Sequence, residues 1–169
     1  GVTGSGFMGR THVEAAKRSP VAELVAVAGG NRSQGLAQDY GIEWEKDAAS
    51  LIARGDIDAI AITTPHHVHY EEAVLAAEAG KHALIEKPLA TSLEDCDKLI
   101  AAFAAHGLTL AVGYHQRFRE SNLTVKRLIA EGAVGTVRCI QMAALFDIAA
   151  LRSDEGFGGA WNWWTDPRS

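Results

Sequence analysis

Gly1-Val-Thr-Gly-Ser-Gly-Phe-Met-Gly-Arg10 decides how this chain is read. Gly4, Gly6 and Gly9 stand in G-x-G-x-x-G spacing, with Ser5, Phe7 and Met8 between them and Val2-Thr3 before them. In a strand–turn–helix each glycine has its own task. Gly4 permits the tight turn, Gly6 lets the backbone approach a pyrophosphate, and Gly9 lets the helix pack on the strand. The helix N-terminus then offers N–H groups and a positive dipole end to phosphate.

Working outward, the stretch between Gly9 and Pro20 reads as a helix, and Pro20 ends it. Glu23–Ala28 is a short apolar run that reads as a buried second strand. Together they make a βαβ unit of about 30 residues. An acidic residue normally ends that second strand and holds the adenosine ribose 2′-hydroxyl. Here the chain continues Gly29-Gly30-Asn31-Arg32-Ser33, with no carboxylate. A guanidinium fork suits a 2′-phosphate. Asn31, Arg32 and Ser33 therefore favour NADP over NAD, the alternative being an ordinary turn with a solvated arginine.

Strands and helices then alternate. The spacing predicts helices over 34–40, closed by Gly41, and over 47–53, capped by Asp47. Strands are expected at 57–63, 82–86 and 108–113, with helices at 69–79 and 92–105. Thr91-Ser92-Leu93-Glu94 offers a capping box. The pattern is α/β: a Rossmann-type doubly wound parallel sheet covered on both faces, followed by the start of a second α+β domain.

Ligands bind beyond the carboxyl ends of the strands in such sheets. Four segments fall there: the glycine loop, Thr63-Thr64-Pro65-His66-His67-Val68-His69, Glu86-Lys87-Pro88, and Tyr114-His115-Gln116-Arg117-Phe118. Lys87 is the candidate acid–base group, able to hydrogen-bond a substrate hydroxyl or carbonyl. A lone lysine at a strand end is ordinarily a solvated charge; the convergence of four segments argues otherwise. His66, His67 and His69 are not read as a metal site, because no acidic or cysteine ligand stands beside them at metal-like spacing. His12, His82 and His106 read as helix-surface or packing residues.

Composition sets bounds. The chain has 169 residues, 47% hydrophobic and 22% charged, so a packed core is feasible. A net charge of -5 argues against non-specific nucleic-acid binding. No apolar run reaches the roughly 20 residues that cross a membrane. Cys96 and Cys139 lack C-x-x-C spacing and read as free thiols of a reducing cytoplasm. The chain opens almost on the glycine loop and reads as a piece of a longer enzyme, expected to self-associate and to lack dehydrogenase activity by itself. Residues 1–118 form the dinucleotide-binding domain, and 119–169 the incomplete beginning of a second.

Taken together, GSGFMGR, TTPHHVHYEEAVLAAEAGKHALIEKPLA and AVGYHQRF resemble the Gfo/Idh/MocA family of NAD(P)-dependent oxidoreductases. The resemblance is most specific at Gly80–Pro88, against the family's G-K-H-V-x-x-E-K-P. It implies that Lys87 is the active-site lysine and that Glu86 lines the nicotinamide ribose. Pro65 and His69 match the family's T-P-N-x-x-H loop at the cofactor, with His66 in place of Asn. His115 and Arg117 fall near the nicotinamide, and Trp163-Trp164 replaces a W-R pair. Residues 122–135 and the β-prone Val137–Phe146 resemble the entry to a second, sheet-built domain that shapes the substrate pocket and often a homo-oligomer interface. The family's proton-transfer histidine would follow Ser169. The resemblance implies hydride transfer between NADP or NAD and a carbinol carbon of a sugar, inositol or related polyol. Its alternatives are a non-catalytic nucleotide-binding regulator and a glycosidase-type enzyme that uses NAD transiently.

Overall fold

The computed structural model describes residues 1–143. Six short strands, β1 (Val2–Thr3), β2 (Ala26–Ala28), β3 (Glu43–Glu45), β4 (Ala59–Ile62), β5 (His82–Ile85) and β6 (Leu110–Val112), form one sheet in the order β3-β2-β1-β4-β5-β6. All five pairings are parallel. Helices α1 (Phe7–Arg18), α2 (Ser33–Tyr40), α3 (Ala48–Ile52), α4 (His69–Glu78), α5 (Leu93–Ala105) and α6 (Glu120–Ala130) connect or follow the strands. This is the doubly wound order, and its direction reverses between β1 and β4.

Strand residues alternate between two cores. Val2 and Val27 pack with Val13 of α1 and with Leu36 and Ala37 of α2 on one face. Ala26, Ala28, Ile60, Ile62 and Ile85 face the other way, onto Leu51, Ala73, Ala76, Leu99 and Phe103 of α3, α4 and α5. Burying each large side chain contributes about 1.5–3 kcal/mol. Small alanines on α4 bring that helix close to the sheet.

Most sequence-derived elements are present, with shifted edges. α1 starts at Phe7, inside the glycine loop, because Gly9 itself belongs to the helix. The α5 cap is Ser92, not Thr91: the Ser92 hydroxyl accepts from the Asp95 N–H at 3.0 Å and donates to its carboxylate. Asp47 caps α3 by accepting from the Ser50 N–H. The second strand shortens to Ala26–Ala28.

β3 was absent from the sequence reading. Glu43-Trp44-Glu45 is short, and charge flanks its one large apolar residue. It is an edge strand held by Arg54, which pairs with Glu43 and with Glu45 and Asp56 at 2.9 and 2.6 Å. Its charges also blunt the edge against a further strand. At the other end, residues 137–143 carry no strand, and no strand lies beside them among the described residues. The rest of the β-prone run, 144–146, lies outside those residues. Among them, no helix is long and apolar enough to cross a membrane.

Candidate functional site

Sheets of this order bind ligands beyond the carboxyl ends of the strands where the order reverses, here between β1 and β4, and the glycine loop follows β1 at that place. Gly4 has φ +94°, and a Cβ there would lie 2.6 Å from Thr63 Oγ1 and 2.7 Å from the Thr63 carbonyl oxygen. A Cβ at Gly9 would lie 2.3 Å from the Gly4 carbonyl oxygen. These two glycines are required by packing. A Cβ at Gly6 would meet nothing within 4 Å among the described residues, so the space above Gly6 is open. Gly6 is also the N-cap of α1, with no side chain capping it. Tight packing at Gly4 and Gly9 beside open space at Gly6 is the arrangement a dinucleotide pyrophosphate needs.

Beyond β2, Asn31 and Arg32 are exposed, while Ser33 is buried. The Arg32 backbone N–H donates to Ser5 Oγ at 3.2 Å, which ties this turn to the glycine loop. The Ser33 hydroxyl donates to the Gly30 carbonyl at 3.2 Å and accepts from the Trp44 indole N–H at 2.9 Å. Its oxygen therefore serves protein partners, while Asn31 and Arg32 lie exposed on the same turn. Glu45 lies opposite Ala28 in the ladder, but its carboxylate is held by Arg54.

Beyond β4, a buried polar network organises the Thr63–His69 segment. Thr63 Oγ1 donates to the Thr3 carbonyl at 2.6 Å. Glu72, on α4, accepts from Thr3 at 2.6 Å and from Thr64 at 3.1 Å. Burial pushes the Glu72 carboxyl above its ordinary range, and the two threonine hydroxyls pull it back only in part. His69 was expected at the cofactor. It is instead fully buried beneath its loop, with Nδ1 2.8 Å from the Pro88 carbonyl oxygen and Nε2 2.8 Å from that of Thr64. A neutral ring donates to one of these at a time. Burial pushes the His69 pKa down against the pull of those carbonyls. His69 thus joins the β4 and β5 loops. His66 sits edge-on to His69, ring centroids 5.7 Å apart. Burial, then His69 and Lys87, push the His66 pKa down to about 4, so its ring is neutral near pH 7. Pro65 is half-buried above this network.

Beyond β5, Glu86 is buried and Lys87 half-buried, and the Lys87–Pro88 peptide is cis. Glu86 Oε1 lies 3.0 Å from His12 Nε2 on α1, and Glu86 Oε2 accepts the Lys87 N–H at 3.3 Å. Burial alone raises the Glu86 carboxyl; the His12 hydrogen bond and charge, with Lys87, outweigh it and hold the group below its ordinary value. Gly113, ending β6, makes room for this carboxylate, since a Cβ there would lie 2.9 Å from Glu86 Oε1. His115 and Arg117 follow in an exposed 3-10 turn, His115–Phe118. Trp163 and Trp164 lie outside the described residues.

Sequence reading therefore missed His12, Glu72 and Gly113. His12 had a signal, lying three residues past Gly9 on the same helix. The partners of Glu72 and Gly113 are distant in sequence and gave none. No cluster of three metal-ligating side chains occurs among the described residues.

The chain is similar to known proteins over most of its length. Residues 1–114 match the Gfo/Idh/MocA family, described as an oxidoreductase family with an NAD-binding Rossmann fold. Inositol 2-dehydrogenase 3 of Saccharopolyspora erythraea is 35% identical over 140 residues, 80% of this chain and 41% of that protein. The 2,7-anhydro-N-acetylneuraminate hydratase of Mediterraneibacter gnavus is 31% identical over 136 residues, 80% of this chain and 36% of that protein. Scyllo-inositol dehydrogenase from Lactobacillus casei, solved with NAD(H) and scyllo-inositol, superposes with a TM-score of 0.74 at 27% identity, over 79% of this chain and 41% of that one. The chain thus spans about two fifths of these relatives. On its glycine loop, sheet order and matched span, the chain belongs to the Gfo/Idh/MocA family of oxidoreductases.

Proposed function

We propose that this chain is the cofactor-binding part of an enzyme that moves hydride between a nicotinamide nucleotide and a carbinol carbon of a sugar, inositol or related polyol. The observation that carries the reading is the glycine loop, closed by packing at Gly4 and Gly9 and open at Gly6. The polyol class is supported by the inositol dehydrogenases among its relatives.

The residues then divide the work. Gly4–Gly9 and the α1 N-terminus hold the pyrophosphate. Asn31 and Arg32 take the adenosine end. Thr63, Thr64, Pro65 and His66 line the crevice wall, over a support that includes His69. Glu86, His115 and Arg117 flank the nicotinamide side, with Trp163 and Trp164 assigned there by resemblance. The bound nucleotide supplies hydride acceptance or donation at its nicotinamide ring. Lys87 Nζ polarises the substrate oxygen and takes up or returns the hydroxyl proton. A histidine supplied beyond Ser169 completes the acid–base pair.

NADP is the preferred cofactor. Support comes from exposed Arg32 on the turn after β2, since a guanidinium fork suits a 2′-phosphate, and from the Glu45 carboxylate opposite Ala28, which is committed to Arg54. The second domain begins near residue 119 and carries the substrate pocket and a homo-oligomer contact, and the enzyme works in the cytoplasm. A transient-redox reaction is the second reading, favoured by one relative's being named a hydratase. Calorimetric titration of the intact protein with NADPH and NADH tests the core of the proposal, with NADPH expected to bind more tightly. Accumulation of reduced nucleotide with inositols separates net dehydrogenation from the transient route. If neither nucleotide binds, the reading falls.

A further inference from the structure

The buried Glu86 carboxylate joins two elements that the sequence separates by 74 positions. One oxygen meets His12 Nε2, on the second turn of α1. The other accepts the backbone N–H of Lys87. Gly113 leaves just enough room for the carboxylate between β5 and β6. We propose that His12 is a positioning residue which, through Glu86, holds Lys87 in register with the helix that starts at the glycine loop.

The argument is geometric. α1 rests on Gly4 at its first turn, so its own position is fixed by the loop under the pyrophosphate site. Lys87 follows β5, a strand two removed from β1 in the sheet. Parallel strands share only backbone bonds, which set their register but not the direction of the chain beyond their ends. The His12–Glu86 contact supplies the missing link one residue before Lys87. It is nearly dry, with the two side chains 17% and 6% exposed, so solvent screens it little. A charge-assisted bond in such a place is stronger than a neutral one. The loop that would seat the phosphates and the group that would handle the proton thereby behave as one rigid unit. Preorganisation of this kind matters because small misplacements of a reacting group are costly.

This inference rests on the nucleotide-binding reading above, and the test separates the two. NADH and ADP share the adenosine diphosphate and differ by the nicotinamide riboside, which extends toward Lys87. Calorimetric affinities of the intact protein for both probes are compared in His12→Phe, His12→Gln, Glu86→Gln and the His12→Phe/Glu86→Gln double variant. His12→Phe keeps the ring volume and removes the donor; it is expected to weaken NADH about tenfold, the scale of one bond to a charged group, and to leave ADP within about twofold. His12→Gln restores an N–H donor and most of the NADH affinity. In the Glu86→Gln background His12→Phe adds almost nothing, since the two act through one contact. Equal weakening of NADH and ADP, full additivity, or an unchanged NADH affinity in His12→Phe each overturns the role of His12. Should His12→Phe not fold, His12→Ala, which also removes the donor, is read by the same NADH-to-ADP ratio. Failure of the unaltered protein to bind either probe overturns the nucleotide-binding reading itself.

Discussion

On the β2 side of the sheet, Asn31 and Arg32 stand exposed on a turn that the Arg32 N–H ties to Ser5. On the β4–β6 side, Glu72, His69 and Glu86 are all buried, and each bridges two segments far apart in the chain. The first side presents polar and charged groups to solvent, where substitution has little effect on packing. The second holds its groups through buried hydrogen bonds, where an orphaned partner costs about 1–3 kcal/mol. On the proposed function, selection of a nucleotide and positioning of a reacting group would place different demands on the same sheet. The β2 side is wet and adjustable, and the β4–β6 side is cross-braced.

The sharpest way to break this contrast is at Lys87. A positioned acid–base group contributes typically 10²–10⁴-fold, so Lys87→Ala is expected to lower turnover of the intact enzyme by about that factor. Its NADPH affinity should stay close to that of the unaltered protein. Steady-state kinetics beside a binding titration checks both; turnover near normal would move the chemistry away from β5. The next largest effect lies beneath the loop. His69→Phe keeps an aromatic ring but leaves the Thr64 or Pro88 carbonyl without its donor. A loss of about 1–3 kcal/mol in urea unfolding is expected. An unchanged midpoint would mean that this side is not braced as its geometry implies.

These two sides also differ in how far the sequence betrayed them. The glycine loop, the turn at Asn31-Arg32 and the Glu86-Lys87 strand end were all legible, because each is a local pattern whose spacing follows from strand, turn and helix geometry. α2, α3, α4 and α5 were legible through their periodicity and through Gly41, Asp47 and Ser92 near their ends, although Thr91 competed for the last cap. β3 was not, since two glutamates around one tryptophan are too short a run for a strand period to show. The braces were not legible either. His12 finds Glu86 across 74 positions and Thr3 finds Glu72 across 69; the spacing of His12 from Gly9 marks its helix face but not its partner, and nothing local marks Glu72. His69 shows the limit most clearly: a position near the strand-end loop was readable, but its ring lies between the carbonyls of Thr64 and Pro88, and the second partner is 19 positions away.

Arg32 tests the wet side alone. Loss of one charge-assisted phosphate contact corresponds to roughly 10- to 150-fold in affinity. Arg32→Ala is therefore expected to weaken NADPH by about that range, leave NADH nearly unchanged, and shift the unfolding midpoint little. Equal weakening of both nucleotides would remove the 2′-phosphate assignment, and a large stability loss would erase the contrast between the two sides.

The smallest effect is one of sign, and it lies within the braced side. Glu86 and Glu72 are both buried carboxyls, with opposite shifts from the ordinary value of 4.5. Glu86 is lowered, because His12 and Lys87 outweigh burial. Its contribution to stability is full above the unfolded value and is lost as pH falls through the folded one. Glu72 is raised, because burial outweighs its two threonine donors. Its carboxyl favours the folded state most below the unfolded value, and that contribution declines as pH rises through the folded one. Amide variants remove each titration while keeping the shape. Glu86→Gln should therefore show a deficit against the unaltered protein that grows from about pH 3 to pH 7, whereas Glu72→Gln should gain relative to it over the same range. Urea midpoints across that range read both slopes. Slopes of the same sign would mean that burial, and not the His12 contact, sets the charge state of Glu86, and the brace between α1 and Lys87 would lose its electrostatic basis.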